Sequence, residues 1–261
     1  MATTQPVYDL ATAICDGTDI NVRKLITESV SCLHDYTLQV SQMRAIENAE
    51  IIILSGAGME DFLDDALLSA KRCIDSSLGI DLICAEEDHS HEGHAHETDA
   101  HIWLSPANAS VMANNIAKAL SDFYPEYEDI FLQNLLVLEA RLQDISEYAA
   151  EQLDALSRRD IITFHDGFSY MAQAFGLNII HVIEEEAGSE ASAAELIQLT
   201  KIVKEYNLPA IFTECNGSTS AAQIISAETG AKIYALDMGL SERSYFEAMM
   251  HNIDVLKEAL E

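Results

Sequence analysis

The chain has 261 residues and a formal net charge of −30, from 14 lysines and arginines against 44 aspartates and glutamates. So acidic a surface repels phosphate backbones and anionic lipid, which argues against nucleic-acid binding and against peripheral attachment to membranes. Hydrophobic residues make up 49% of the sequence, so disorder of the whole chain is excluded and the length allows one large domain or two small lobes. No apolar run approaches the length of a membrane span, and Met1-Ala-Thr-Thr-Gln5 lacks the basic and apolar regions of an export signal.

In chain order, short β-branched runs at Val22–Ile26 and Ile51–Ser55 are the first candidate strands. Residues 85–100 follow, with four histidines and six carboxylates and no apolar periodicity, which predicts an acidic surface loop. Ser105-Pro106 reads as an N-cap and first helical position. From Glu126 to Leu156 there is no Gly or Pro, and Phe131, Leu135, Leu138, Leu142, Ile145 and Ala149 recur at helical spacing, predicting one long helix. Beyond it, strands at Ile161–Phe164, Asn178–Val182, Ala210–Thr213 and Lys232–Leu236 alternate with helices, one opened by the capping box Ser192-Ala-Ala-Glu195. The expectation is an α/β fold. Two lobes, residues 1–124 and 159–261, each hold a mostly parallel sheet flanked by helices, and a spine helix at 125–158 joins them.

Five cysteines (Cys15, Cys32, Cys73, Cys84 and Cys215) are scattered without a C-x-x-C pair and read as buried or half-buried thiols, with room for two disulfides at most. The nine histidines are more informative. His89, His91, His94 and His96 sit among the acids of the 85–100 loop, where imidazole and carboxylate together offer a weak accessory site for metal capture. His34, His101 and His165 each stand just before a candidate helix start, and His165 and Asp237 each follow a candidate strand. Ligands of open α/β sheets bind outside the carboxyl ends of strands, so these four positions are candidates to converge from distant parts of the chain. Singly, each histidine reads more readily as a structural residue, and His181 and His251 keep that reading.

The motifs Leu33-His-Asp-Tyr36, Ala49 to Glu60, His101-Ile-Trp-Leu-Ser-Pro106, Asn114-Asn-Ile-Ala117, Thr163-Phe-His-Asp-Gly-Phe-Ser-Tyr170, Glu190 to Glu195, Ile211-Phe-Thr-Glu214 and Glu228 to Asp237 occur in one order along the chain. In that order they resemble the metal-binding proteins of ABC importers for zinc and manganese, the cluster A-I solute-binding proteins. The His-rich loop resembles that of the zinc branch. The resemblance implies His34, His101, His165 and Asp237 as metal ligands. Glu214 is an alternative oxygen donor, and Cys32, two residues before His34, is an alternative accessory thiolate. Three imidazoles and a carboxylate suit tetrahedral zinc, whereas manganese relatives carry a glutamate where this chain has His165. Asp35 and Asp166 directly follow ligands, which does not by itself make them orienting partners.

The chain departs from the pattern at Leu33, Thr37-Leu38, Ser105 and Cys215-Asn-Gly-Ser218. The implied function is capture of extracytoplasmic zinc and its delivery to membrane ABC permease subunits, by a monomer that is not an enzyme. Manganese or iron import is the alternative on the same fold. A zinc hydrolase is a weaker one, because no His-Glu-x-x-His pair or nucleophile elbow is present.

Overall fold

A computed structural model describes residues 1–30, 33, 36–84, 98–184 and 192–261, with the backbone alone at Glu184. The chain divides into two compact units, Met1–Glu28 with Cys32–Asp144, and Ser29–Ser31 with Ile145–Glu261. The division falls inside the helix Glu128–Leu153.

In the first unit, strands β1 (Ile52–Leu54) and β2 (Cys73–Asp75) pair in parallel, Ile52 opposite Cys73 and Leu54 opposite Asp75. The run Val22–Ile26 is not a strand. Lys24 and Ile53 each make one parallel bridge to Ala2 between them. The pairing stops there because helix α1 (Gln5–Ile14) starts three residues after Ala2, with Pro6 in its first turn. Sequence reading also passes over β2, whose Cys73-Ile-Asp75 run is too short and polar to signal a strand.

Helix α2 covers Val40–Asn48, α3 Asp64–Leu67 and α4 Pro106–Phe123. Thus the helix after His34 begins at Val40 rather than at once. At α4 the Ser105 hydroxyl accepts from the Asn108 amide at 3.4 Å and Pro106 takes the first position, as the sequence predicts. Ala109, Met112, Ala113, Ile116, Ala117 and Leu120 form its buried stripe, and α1 packs on α4.

Helix α5 runs Glu128–Leu153, after a 3-10 turn at Pro125–Tyr127. At 1.5 Å per residue it is about 39 Å long. Its predicted apolar stripe, from Phe131 to Ala149, is buried throughout. Among the described residues, no helix is long and apolar enough to cross a membrane.

The second unit holds a four-stranded parallel sheet in the order β4-β3-β5-β6, from β3 (Asp160–His165), β4 (Asn178–Glu184), β5 (Ala210–Glu214) and β6 (Lys232–Leu236). Helices α6 (Ser169–Phe175), α7 (Ala193–Glu205), α8 (Ser220–Thr229) and α9 (Tyr245–Leu260) intervene or follow. Strand alternation sends Ile162, Phe164 and Ile211 into a core with Leu199 and Val203 of α7 and Ile225 of α8. The Ser192–Glu195 capping box forms, and a second one, Ser244 with Glu247, opens α9.

One buried acid ties the start of the first unit together. Glu60 is 5% exposed and accepts from the Thr3 hydroxyl (2.6 Å), the Ser55 amide (2.7 Å) and the Gly56 amide (2.9 Å). Gly56 has φ +82°, and a Cβ there would collide with the Asp75 carboxylate and the Ser77 hydroxyl, so only glycine fits. Burial pushes the Glu60 carboxyl up to about 7, against the opposing pull of its hydrogen bonds.

A folded-state value above the unfolded one means that the contribution is complete below about pH 4.5 and is lost as pH rises through about 7. Denaturant unfolding of wild type and Glu60→Gln checks this. The stability deficit of the variant should shrink by about 3 kcal/mol between pH 4.5 and 7.5. A pH-independent deficit would contradict it.

Candidate metal-binding site

His101 lies in the first unit, just before the 3-10 turn Ile102–Leu104, and is 1% exposed. Asp99, itself buried, places both its backbone and its ring: one carboxylate oxygen, Oδ1, stands 2.9 Å from the His101 amide and 2.9 Å from Nδ1. A carboxylate accepts, so Nδ1 donates in this contact, and in the neutral ring that tautomer puts the lone pair on Nε2. The ring also meets Trp103 edge-on, with centroids 5.5 Å apart. Metal-ligating histidines in general have one ring nitrogen held by a carboxylate or carbonyl in this way.

In the second unit, three adjacent parallel strands carry polar residues at or just beyond their carboxyl ends. His165 closes β3 and Glu214 closes β5. Asp237 comes one residue after β6. Register explains the first pair. Thr163 stands opposite Phe212, so two residues on, His165 and Glu214 share a sheet face, away from the core of Ile162 and Phe164. The His165 Nδ1 and the Glu214 Oε1 are 3.4 Å apart, and both side chains are buried.

Asp237 is 1% exposed and held from both sides. The Asn252 amide of α9 clamps its backbone, accepting from its N–H (2.7 Å) and donating to its carbonyl (2.8 Å). Its Oδ1 accepts from the Gly239 amide (2.9 Å), and its Oδ2 accepts from the Ser241 hydroxyl (2.6 Å) and the Arg243 guanidinium (3.0 Å). A cavity of about 10 Å³ beside it is lined by Val30, Glu214, Cys215, Asn216, Asp237, Met238 and Leu240. Burial, aided by the Asp237 carboxylate, pushes the Cys215 thiol up, so it stays protonated.

Of the residues expected from the sequence, His34, His89, His91, His94, His96, Cys32 and Asp35 lie outside the described residues. The structure brings His165 and Glu214 together, and Glu214 and Asp237 both line the small cavity. Among the described residues, no three His, Cys, Asp or Glu side chains form a group that could hold a metal. Asp166 is exposed. His251, read as structural, has its Nε2 3.2 Å from the Ala235 carbonyl and 3.9 Å from the Cys215 sulfur. Cys15, Cys73, Cys84 and Cys215 are free thiols.

Sequence reading missed Asp99, Ser241, Arg243 and Asn252. A usable signal for Asp99 was its position two residues before His101. For the others there was none, because a loop and a distant helix bring them to Asp237.

The family described as zinc-uptake complex component A, periplasmic, matches residues 1–259. The chain belongs to this family. It is 28% identical to a protein of Treponema pallidum (strain Nichols) named as a putative metal-binding protein, over 95% of this chain and 83% of that one. It is also 28% identical to the zinc-binding lipoprotein AdcA of Streptococcus pneumoniae (strain ATCC BAA-255 / R6), over 99% of this chain but 55% of AdcA. The chain thus spans about half the length of that relative. Its fold matches a crystal structure of ZnuA with a TM-score of 0.88 and 29% identity, covering 100% of this chain and 98% of ZnuA. The zinc-uptake family is a solute-binding component of transport, and the α/β fold described here is shared with ZnuA.

Nitrogen NMR of the His101 ring tests the Asp99 anchor. In wild type Nδ1 should be protonated and Nε2 should carry the lone pair, and Asp99→Ala should abolish that preference. An unchanged tautomer in the variant would remove Asp99 from the site.

Proposed function

We propose that this chain captures zinc outside the cytoplasm and delivers it to the permease subunits of an ABC importer. The observation that carries this reading is the match of the zinc-uptake family to residues 1–259, supported by relatives whose names specify zinc binding. In this reading His34, His101, His165 and Asp237 are the ligands, and zinc is cargo. The Asp99 anchor on His101 supports it, because a carboxylate on Nδ1 orients the ring and directs Nε2 to the metal. Three nitrogen donors and one oxygen donor favour zinc over manganese, which prefers oxygen. Asp237 serves as the oxygen donor, and Glu214 stands beside the His165 ring. The acidic loop with His89, His91, His94 and His96 adds weaker capture.

Four protein ligands leave no place for the bound water that a zinc hydrolase activates, so the protein acts as a carrier and not as an enzyme. It works as a monomer at the outer face of the membrane or in the periplasm, in keeping with the periplasmic family and the lipoprotein relative.

Calorimetric titration of chelator-stripped protein tests the reading. Wild type should take up one tightly held zinc, and His165→Ala should lose about 100-fold or more in affinity. Affinity should fall as pH is lowered from about 7.5 to 5.5, because each ligating imidazole must shed its proton. Zinc binding that ignores both the substitution and pH would refute this ligand set.

A further inference from the structure

Among the described residues the carboxylate of Asp237 has three donors, and they differ in kind. The Gly239 amide and the Ser241 hydroxyl are neutral, and both belong to the loop that follows β6. The third donor, the Arg243 guanidinium, brings a full positive charge to Oδ2 at 3.0 Å and also reaches the Cys215 sulfur at 3.7 Å. The Arg243 backbone is fixed, because its amide donates to the Ser241 hydroxyl at 3.0 Å. Its side chain is not enclosed: 43% of it is exposed, against 1% for Asp237.

A buried carboxylate is costly without a counter-charge, and Arg243 supplies one. An arginine keeps its charge at every physiological pH, so a dication approaching Oδ2 meets a resident cation. The exposed guanidinium can move into water at small cost, whereas the two neutral donors can stay in place. A carboxylate offers about four acceptor positions, so two retained hydrogen bonds still leave room for a metal bond.

We propose that Arg243 is a displaceable counter-cation of Asp237, occupying the carboxylate when cargo is absent and yielding to zinc when it binds. The inference rests on Asp237 being a zinc ligand. It makes Arg243 a positioning residue that weakens retention. Zinc is held less tightly and leaves faster than the same ligands alone would allow, which suits a protein that must hand its cargo on.

A purely supportive arginine predicts the opposite sign, and this separates the two roles. Arg243→Gln keeps a donor and removes the charge, so zinc should bind about tenfold more tightly and dissociate correspondingly more slowly in chelator competition. Arg243→Lys keeps the charge and should stay near wild type. Thermal melting of both metal-free variants checks that they are folded.

A second measurement needs no variant. In wild type, NMR signals of the Arg243 guanidinium should be protected from exchange without metal and lose that protection when zinc is added. If wild type binds zinc but Arg243→Gln binds equally or more weakly, or if the guanidinium stays protected, the counter-cation role is overturned while zinc capture stands. If wild type takes up no zinc, both fall together.

Discussion

Burying an imidazole or a carboxylate is unfavourable unless a partner holds it, and this chain buries His101, His165, Glu214 and Asp237 to less than one-tenth exposure. The local architecture follows from meeting that cost. Asp99 answers His101 with one oxygen shared between backbone and ring. Asp237 is answered by a loop amide, a hydroxyl and a guanidinium, while Asn252 fixes the backbone beneath it. None of these arrangements contributes to a hydrophobic core, and each holds a donor atom in one orientation. Such holding is what metal capture needs, since a ligand that is already ordered loses little entropy when the ion arrives.

The parallel sheet of the second unit supplies the geometry. Its two inner strands, β3 and β5, are buried almost throughout, and the polar residues His165 and Glu214 stand at their ends. Register then decides the rest. Because Thr163 faces Phe212, His165 and Glu214 must reach the same end on the same face, and β6 brings Asp237 to the position beyond. The carboxyl ends of open α/β sheets are where such folds place their ligands.

Much of this was legible in the sequence, where hydrophobic periodicity is strong. The α5 stripe from Phe131 to Ala149, the Ser192–Glu195 box and the four strands of the second unit all leave local signals. The first unit was harder to read. Val22–Ile26 has the composition of a strand, but its neighbour is Ala2, which leads straight into α1 and offers a single bridge. Cys73–Asp75 has little apolar character and pairs only because Ile52–Leu54 needs a partner. At the candidate site the ends of β3 and β6 drew attention to His165 and Asp237, while the ligand set as a whole came from the resemblance of the motifs. The partners of these residues could not be picked out, apart from Asp99, because Arg243, Ser241 and Asn252 reach Asp237 through tertiary folding and not through any spacing.

X-ray absorption at the zinc edge of the loaded protein addresses the central claim most directly, because it reports the donor atoms themselves. The account predicts four light scatterers at about 2.0–2.2 Å, with the outer-shell pattern of about three imidazole rings. A sulfur scatterer at about 2.3 Å, or a six-oxygen shell without imidazole, would contradict it.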